Sequence, residues 1–136
     1  MRGGGLGAAG LGHEKLSFAR FDRFSSAIPV VVATQGYVFG GGCEFSMHAD
    51  AVVAAAESYV GLVEVGVGVL PGGGGTKEFA LRASDEMHED EPETITLKNR
   101  FIAIATAKVA TSAAEAFELG ILRQGTDEIV FNQSRR

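Results

Sequence analysis

Glu64 has the setting in this chain that most calls for a chemical explanation. It stands in Gly61-Leu62-Val63-Glu64-Val65-Gly66-Val67-Gly68, where every other side chain is apolar or absent. Burying a carboxylate among aliphatic neighbours is costly. Desolvation drives its pKa upward, towards the range useful for general acid–base work. The same carboxylate would also suit a pair with a basic side chain or a helix N-terminus, and the local pattern leaves both readings open. Glycine clusters lie on either side, at Gly40-Gly41-Gly42 and Gly72-Gly73-Gly74-Gly75. Adjacent glycines admit positive φ and close approach. At a helix start their amides can bind an anion, or a carbonyl oxygen gaining negative charge. Tight helix–strand packing is the simpler role for most of them. A Walker loop is not formed, because Thr76-Lys77 reverses the required Lys-Ser/Thr order and the spaced first glycine is missing.

Other reactive types read as structural. Glu44 follows three glycines and falls in the first turn of a helix, where it complements the dipole and can bond free amides. His48 lies one turn on, so two metal ligands could share a face, but no third ligand follows at a suitable spacing. No metal is therefore expected. Asp50 suits a cap ordering the turn into the second strand. Cys43 has no nearby His and reads as a small buried residue. Gly5 to Gly10 match a dinucleotide fingerprint formally, without the hydrophobic strand it needs.

The elements that must hold these residues follow from periodicity. Phe18, Phe21, Phe24 and Ile28 recur at helical spacing, and Pro29 ends that helix near Ala27. Pro29 to Thr34 is a β-branched run without polar alternation, which predicts a strand buried on both faces, as in a parallel sheet. A short helix over Cys43 to Ala49, a buried strand over Ala51 to Ala56 and a third strand over Tyr59 to Val63 come next. A glycine loop leads to a helix from Thr76 to about Ala83. The acidic stretch 85–93 reads as a solvated loop. Thr94 to Lys108 predicts a helix with Leu97, Phe101, Ile104 and Ala105 on its packed face. Ser112 and Glu115 form a capping box, with the carboxylate expected to return to the Ser112 amide. That helix stops at Gly120, and Ile129 to Phe131 supply a last strand. Strands alternating with helices make the chain α/β.

The whole of it is 136 residues, one domain's worth. A net charge of -5 argues against a nucleic-acid groove or an anionic membrane surface, since both need clustered cations. No apolar run reaches the roughly 20 residues of a membrane span, and no signal-peptide pattern opens the chain. A single cysteine precludes an intramolecular disulfide and fits a reducing cytosol. Residues 1–13 show no period and read as a flexible leader, leaving 14–136 as the domain.

Together the motifs resemble the crotonases, the enoyl-CoA hydratase/isomerase superfamily. The matching pieces, in order, are Pro29-Val30-Val31-Val32-Ala33 with Gln35-Gly36, then Gly40-Gly41-Gly42-Cys43-Glu44, then Asp50, then Gly61-Leu62-Val63-Glu64, then Pro71 through Thr76. The strings 61–78 and 105–122 are especially similar to the crotonase part of bacterial multifunctional fatty-acid oxidation proteins, which join it to a 3-hydroxyacyl-CoA dehydrogenase. The resemblance implies a ClpP/crotonase-like spiral of ββα units, incomplete at its N-terminus. It implies an acyl-CoA substrate in β-oxidation, no cofactor, and trimers or pairs of trimers, or association with a dehydrogenase part, in the cytoplasm. By the same resemblance the Gly61 amide is one of two oxyanion-hole donors and Glu64 the first of two catalytic glutamates. Gly41, Gly42, Leu62, Pro71, Gly72 and Gly73 fall at substrate-binding positions. The second amide and most of the CoA surface belong to a first half that residues 1–13 do not supply. The second glutamate maps near Ile102, which cannot exchange a proton, while Glu86 and Glu93 do not match that position. Glu64 is left as sole acid–base group. The alternative is a catalytically incompetent fragment that binds acyl-CoA or mediates oligomerisation.

Overall fold

The computed structural model describes residues 28–86 and 93–131. The leader, the expected helix before Pro29 and residues 87–92 of the acidic loop lie outside these. β-branched Val31–Thr34 form β1, and after a turn at Gln35-Gly36 the chain extends again as β2, Tyr37–Phe39. Helix α1 spans Gly41–Met47. The pattern then repeats. β3, Ala51–Ala55, and β4, Tyr59–Gly61, lead through a 3₁₀ turn at Glu64–Val67 to α2, Gly75–Asp85. Helix α3, Glu93–Ala105, strand β5, Val109–Ala110, helix α4, Ala113–Glu118, and strand β6, Glu128–Val130, complete the order.

Each strand of the first ββα unit pairs in parallel with its counterpart in the second. Val31 faces Ala51 in the β1–β3 ladder and Tyr37 faces Tyr59 in the β2–β4 ladder. Strand β6 adds in parallel to β3, and β5 antiparallel to β4. Two three-stranded sheets result, ordered β1-β3-β6 and β2-β4-β5. Small side chains let the layers approach closely. Cys43, Met47, Val52, Val60, Leu62 and Phe79 form the centre of the core, with Ala110, Ala113 and Ala116 closing it under α4. No described helix is long and apolar enough to cross a membrane.

Several expectations change. Strand β1 is not buried on both faces: Val31 is 62 % exposed, because β1 is an outer strand of its sheet. The glycine run does not merely lead into α1; Gly41 and Gly42 are its first residues. Strand β2 falls in a segment for which the sequence predicts no element, being too short for a periodic signal. In α3 most of the apolar stripe faces outward, with Phe101 68 % and Leu97 50 % exposed; Ile104 of that stripe packs partly on the core, and Ala103 and Arg100 turn inward. Helix α3 packs chiefly on α2, and at that close contact a small side chain and a guanidinium stacked on the Phe79 ring fit where a large apolar one does not. The capping box is half as expected. Ser112 accepts from the Glu115 amide at 3.1 Å, but the Glu115 carboxylate returns to the amide and hydroxyl of Thr111, each at 2.8 Å.

Candidate active site

Glu64 opens the 3₁₀ turn directly after β4. Its Oε2 is screened from solvent, and its Oε1 lies against Gly40, where a Cβ would come within 3.3 Å of it. Gly40 in turn donates its amide to the Gly61 carbonyl at 3.0 Å. Gly61 ends β4 between Phe39 on one side and Val109 on the other. A side chain there has no room, because a Cβ would meet the Lys108 carbonyl oxygen at 2.8 Å and the Val109 Cα at 3.0 Å. Cys43 packs beneath these groups. Burial pushes its thiol far above the usual range, the Glu64 charge adds to that, and the Gly61 amide pulls the other way. The carboxylate of Glu64, the carbonyl of Gly61 and Gly40 of the first glycine cluster therefore meet in one place.

The second glycine cluster reaches the same place through Glu44. Buried on α1, Glu44 accepts the amides of Gly73 and Gly75, each at 2.9 Å. The anion at the glycine loop is thus the protein's own carboxylate. Glu44 has the structural role its position suggested, although the amides it takes belong to the loop before α2 rather than to its own helix. Close approach is what requires glycine here, since a Cβ at Gly73 would lie 2.1 Å from Glu44 Oε2. Gly41 is half-buried and Gly42 exposed on α1, while Pro71 is buried, Gly72 exposed and Gly73 half-buried in the loop. Leu62 is in the core, its side chain pressed against Gly75.

The chain matches the enoyl-CoA hydratase/isomerase family over residues 18–89. It is a crotonase-family chain. A probable 3-hydroxyacyl-CoA dehydrogenase of Bacillus subtilis is 47% identical over 108 residues, covering 79% of this chain and 13% of that protein. A crotonyl-CoA hydratase of Syntrophomonas wolfei is 35% identical over 85 residues, covering 54% of this chain and 33% of that protein. Among solved structures, an enoyl-CoA hydratase of Bacillus anthracis superposes with a TM-score of 0.66 at 26% identity, covering 93% of this chain and 43% of the other. The crotonase-like α/β fold is therefore the fold of this chain, and the chain spans less than half the length of these relatives.

Two clefts among the described residues are bounded by side chains other than Glu64. One of about 510 Å³ is bounded by Glu86, Thr96, Asn99, Arg100, Ile102 and Lys108, among others. Ile102, at the position where the resemblance places the second glutamate, thus lines a cleft that Glu64 does not enter. Among the described residues no group of three His, Cys, Asp or Glu side chains is placed to hold a metal ion. His48 instead bridges two helices. Its Nδ1 meets the Glu44 carbonyl at 2.6 Å, and its Nε2 pairs with Glu78 at 3.1 Å. Asp50 accepts the Val30 amide at 2.6 Å, fastening the turn into β3 to the start of β1.

Two outcomes follow from these buried groups. Burial pushes the Glu78 carboxyl up, but the hydrogen bond and charge of His48, with Lys77 and Arg82, outweigh it and hold the group at about 2, against an ordinary 4.5. A carboxyl depressed in the folded state stabilises fully above its unfolded pKa, and that stability is lost as pH falls through the folded value. The melting temperature should therefore fall between about pH 4.5 and 2. Glu78→Gln should start lower at neutral pH and lose less across that window; parallel curves for the two proteins would show that the pair contributes nothing. Cys43, with no exposed surface and a suppressed thiolate, should react with an aromatic disulfide only as fast as the fold opens. Rapid labelling of the native chain would contradict its placement.

Proposed function

We propose that the Glu64 region handles the acyl group of a CoA thioester, adding water to, or shifting, a double bond conjugated with the thioester carbonyl. The observation that carries this reading is the shielded Glu64 carboxylate beside the Gly40 and Gly61 backbone, in a chain of the enoyl-CoA hydratase/isomerase family. In the proposed mechanism the thioester oxygen sits on the Gly61 amide and gains negative charge as an enolate forms. A fixed donor at such a site lowers the barrier by roughly 3 kcal/mol. Glu64 takes a proton from the water that attacks the β-carbon and returns it to the α-carbon, which discharges the enolate, or it carries a proton between substrate carbons. Gly41, Gly42, Pro71, Gly72, Gly73 and the Leu62 backbone line the acyl path. Glu44 leaves the Gly73 and Gly75 amides unavailable to substrate and keeps the loop in place. The chemistry uses no cofactor beyond the CoA of the substrate.

A second reading is favoured by Ile102, which cannot exchange a proton where the resemblance places the second glutamate: a fragment that binds acyl-CoA, or assembles, without turnover. A short-chain 2-enoyl-CoA separates the two. Loss of its conjugated thioester absorbance supports catalysis. Calorimetric binding without that loss supports the second reading. Neither signal leaves only a structural role. By the names of its relatives, the functional setting is fatty-acid oxidation beside a 3-hydroxyacyl-CoA dehydrogenase part.

A further inference from the structure

A guanidinium is costly to bury unless acceptors surround its N–H groups. Three of them bound one cleft of about 460 Å³, a size within the range of small-molecule sites. They are Arg82 on α2, Arg100 on α3 and Arg123 in the turn after α4, and Glu64 is not among the walls. Arg82 and Arg100 are 5 % and 8 % exposed. The two meet at Gly120. Arg82 donates to the Gly120 carbonyl at 3.3 Å, and a Cβ on Gly120 would lie 2.1 Å from the Arg100 Cζ. Only glycine admits Arg100 there.

The three are served unequally. Arg82 commits its Nη groups to backbone carbonyls. Arg123 commits Nη2 to the Ala49 and Asp50 carbonyls and to Asp127. Arg100 has one acceptor among the described residues, Glu86 at 2.5 Å, and that carboxylate is 45 % exposed. The Nε groups of Arg100 and Arg123 are buried and have no hydrogen-bond partner among the described residues. Burial, and next the Arg123 charge, loosen the hold of Arg82 on its proton, so the like charges feel one another. Gln124 and Thr126, both exposed, bring an amide and a hydroxyl to the same cleft. Asp85, Glu86 and Glu118 are exposed at its rim. Those carboxylates repel a polyanion such as nucleic acid, whereas a small anion can pass them to the inner guanidinium groups.

We propose that this cleft binds a phosphate monoester, with the phosphoryl group on Arg100, Arg123, Gln124 and Thr126 and the charge of Arg82 behind them. One fork satisfies a planar carboxylate, whereas donors arriving from both α3 and the turn after α4 suit a tetrahedral oxyanion. The volume leaves space for the organic part of the ester against Phe117 and Leu122. The site does not rest on the Glu64 chemistry, because it is read by binding at other residues.

The test titrates inorganic phosphate and glycerol phosphate into the full chain by calorimetry, with ionic strength held constant by chloride. Both should bind one-to-one, the ester at least as tightly, and each should raise the melting temperature. Arg100→Gln should weaken both about tenfold or more. Gln124→Ala with Thr126→Val should weaken both severalfold and leave the melt of the free chain unchanged, which decides the matter even if Arg100→Gln fails to fold. Glu64→Gln should leave both affinities as they are. No heat with either probe overturns the proposal in favour of a purely internal charge network. Free phosphate bound without the ester overturns the ester as ligand. Acetate bound as tightly as phosphate overturns the tetrahedral group. Unchanged affinity in the variants overturns the location. Displacement of phosphate by CoA overturns a separate site, since the cleft would then belong to the acyl-CoA path.

Discussion

Glu64→Gln should slow turnover of a short-chain 2-enoyl-CoA by about a hundredfold or more, with little change in thioester affinity. The substitution keeps the size and the hydrogen-bonding reach of the side chain. It removes the capacity to accept a proton, which is the one property the proposed mechanism asks of the residue. Acceptance of a proton belongs to the transition state, so the loss should fall on kcat and not on KM. A second signal does not depend on turnover. The Glu64 charge is among the forces that raise the Cys43 thiol, second only to burial. Neutralising it should bring that thiol partway back, read as a lower pH for thiolate labelling under conditions that open the fold equally in both proteins. An unchanged rate with an altered Cys43 would mean that Glu64 sits where described and does no proton transfer.

Arg82→Met should destabilise the chain by about 3–5 kcal/mol, the usual consequence of removing one partner from a buried ionic network. Arg82 is 5 % exposed and joins three parts of the fold. Its guanidinium donates to the Ile121 carbonyl at 2.5 Å, the Gly120 carbonyl at 3.3 Å and the Met47 carbonyl. Met47 ends α1, and Gly120 and Ile121 follow the cap of α4, so the groups served are the last carbonyl of α1 and two carbonyls of the turn after α4. Methionine fills similar space and leaves those oxygens dry and unbonded. Burial and the nearby Arg123 work against the charge of Arg82, and Glu78 and Asp127 work for it. Removing Arg82 also takes a cation from Glu78, 3.9 Å away. Arg82→Lys should rescue little, because one ammonium cannot reach carbonyls that a planar fork serves from two sides. Urea unfolding gives the free energies directly, and a loss under about 1 kcal/mol for the methionine variant would show that water takes over the staple.

Legibility in the sequence divided along the distance over which residues act. Strands β1, β3 and β4, helix α2 and the cap at Ser112 come from runs or spacings of a few residues, and each was visible as such. Glu64 stood out because charge inside an apolar stretch is a local contrast. Ordered motifs also disclosed the family, since each is short and contiguous. Strand β2 escaped because three residues carry no period. Helix α3 was read with Leu97 and Phe101 inward, and of that stripe Ile104 packs on the core, because periodicity reveals a stripe without saying which neighbour each residue meets. The bonds from Glu44 to Gly73 and Gly75 cross 29 and 31 residues of chain, and the pairing of His48 with Glu78 crosses a similar span. No local pattern encodes such a meeting.

By itself the sequence determined the family, the α/β class, the order of most elements and one carboxylate in apolar company. Each of these depends on neighbours along the chain and on the preferences of the backbone between them. Only the tertiary structure decided that Glu44 closes the glycine loop and that Ile102 lines a cleft without Glu64. Those depend on which surfaces meet once strands pair across the spiral, and parallel pairing joins residues that the chain keeps far apart.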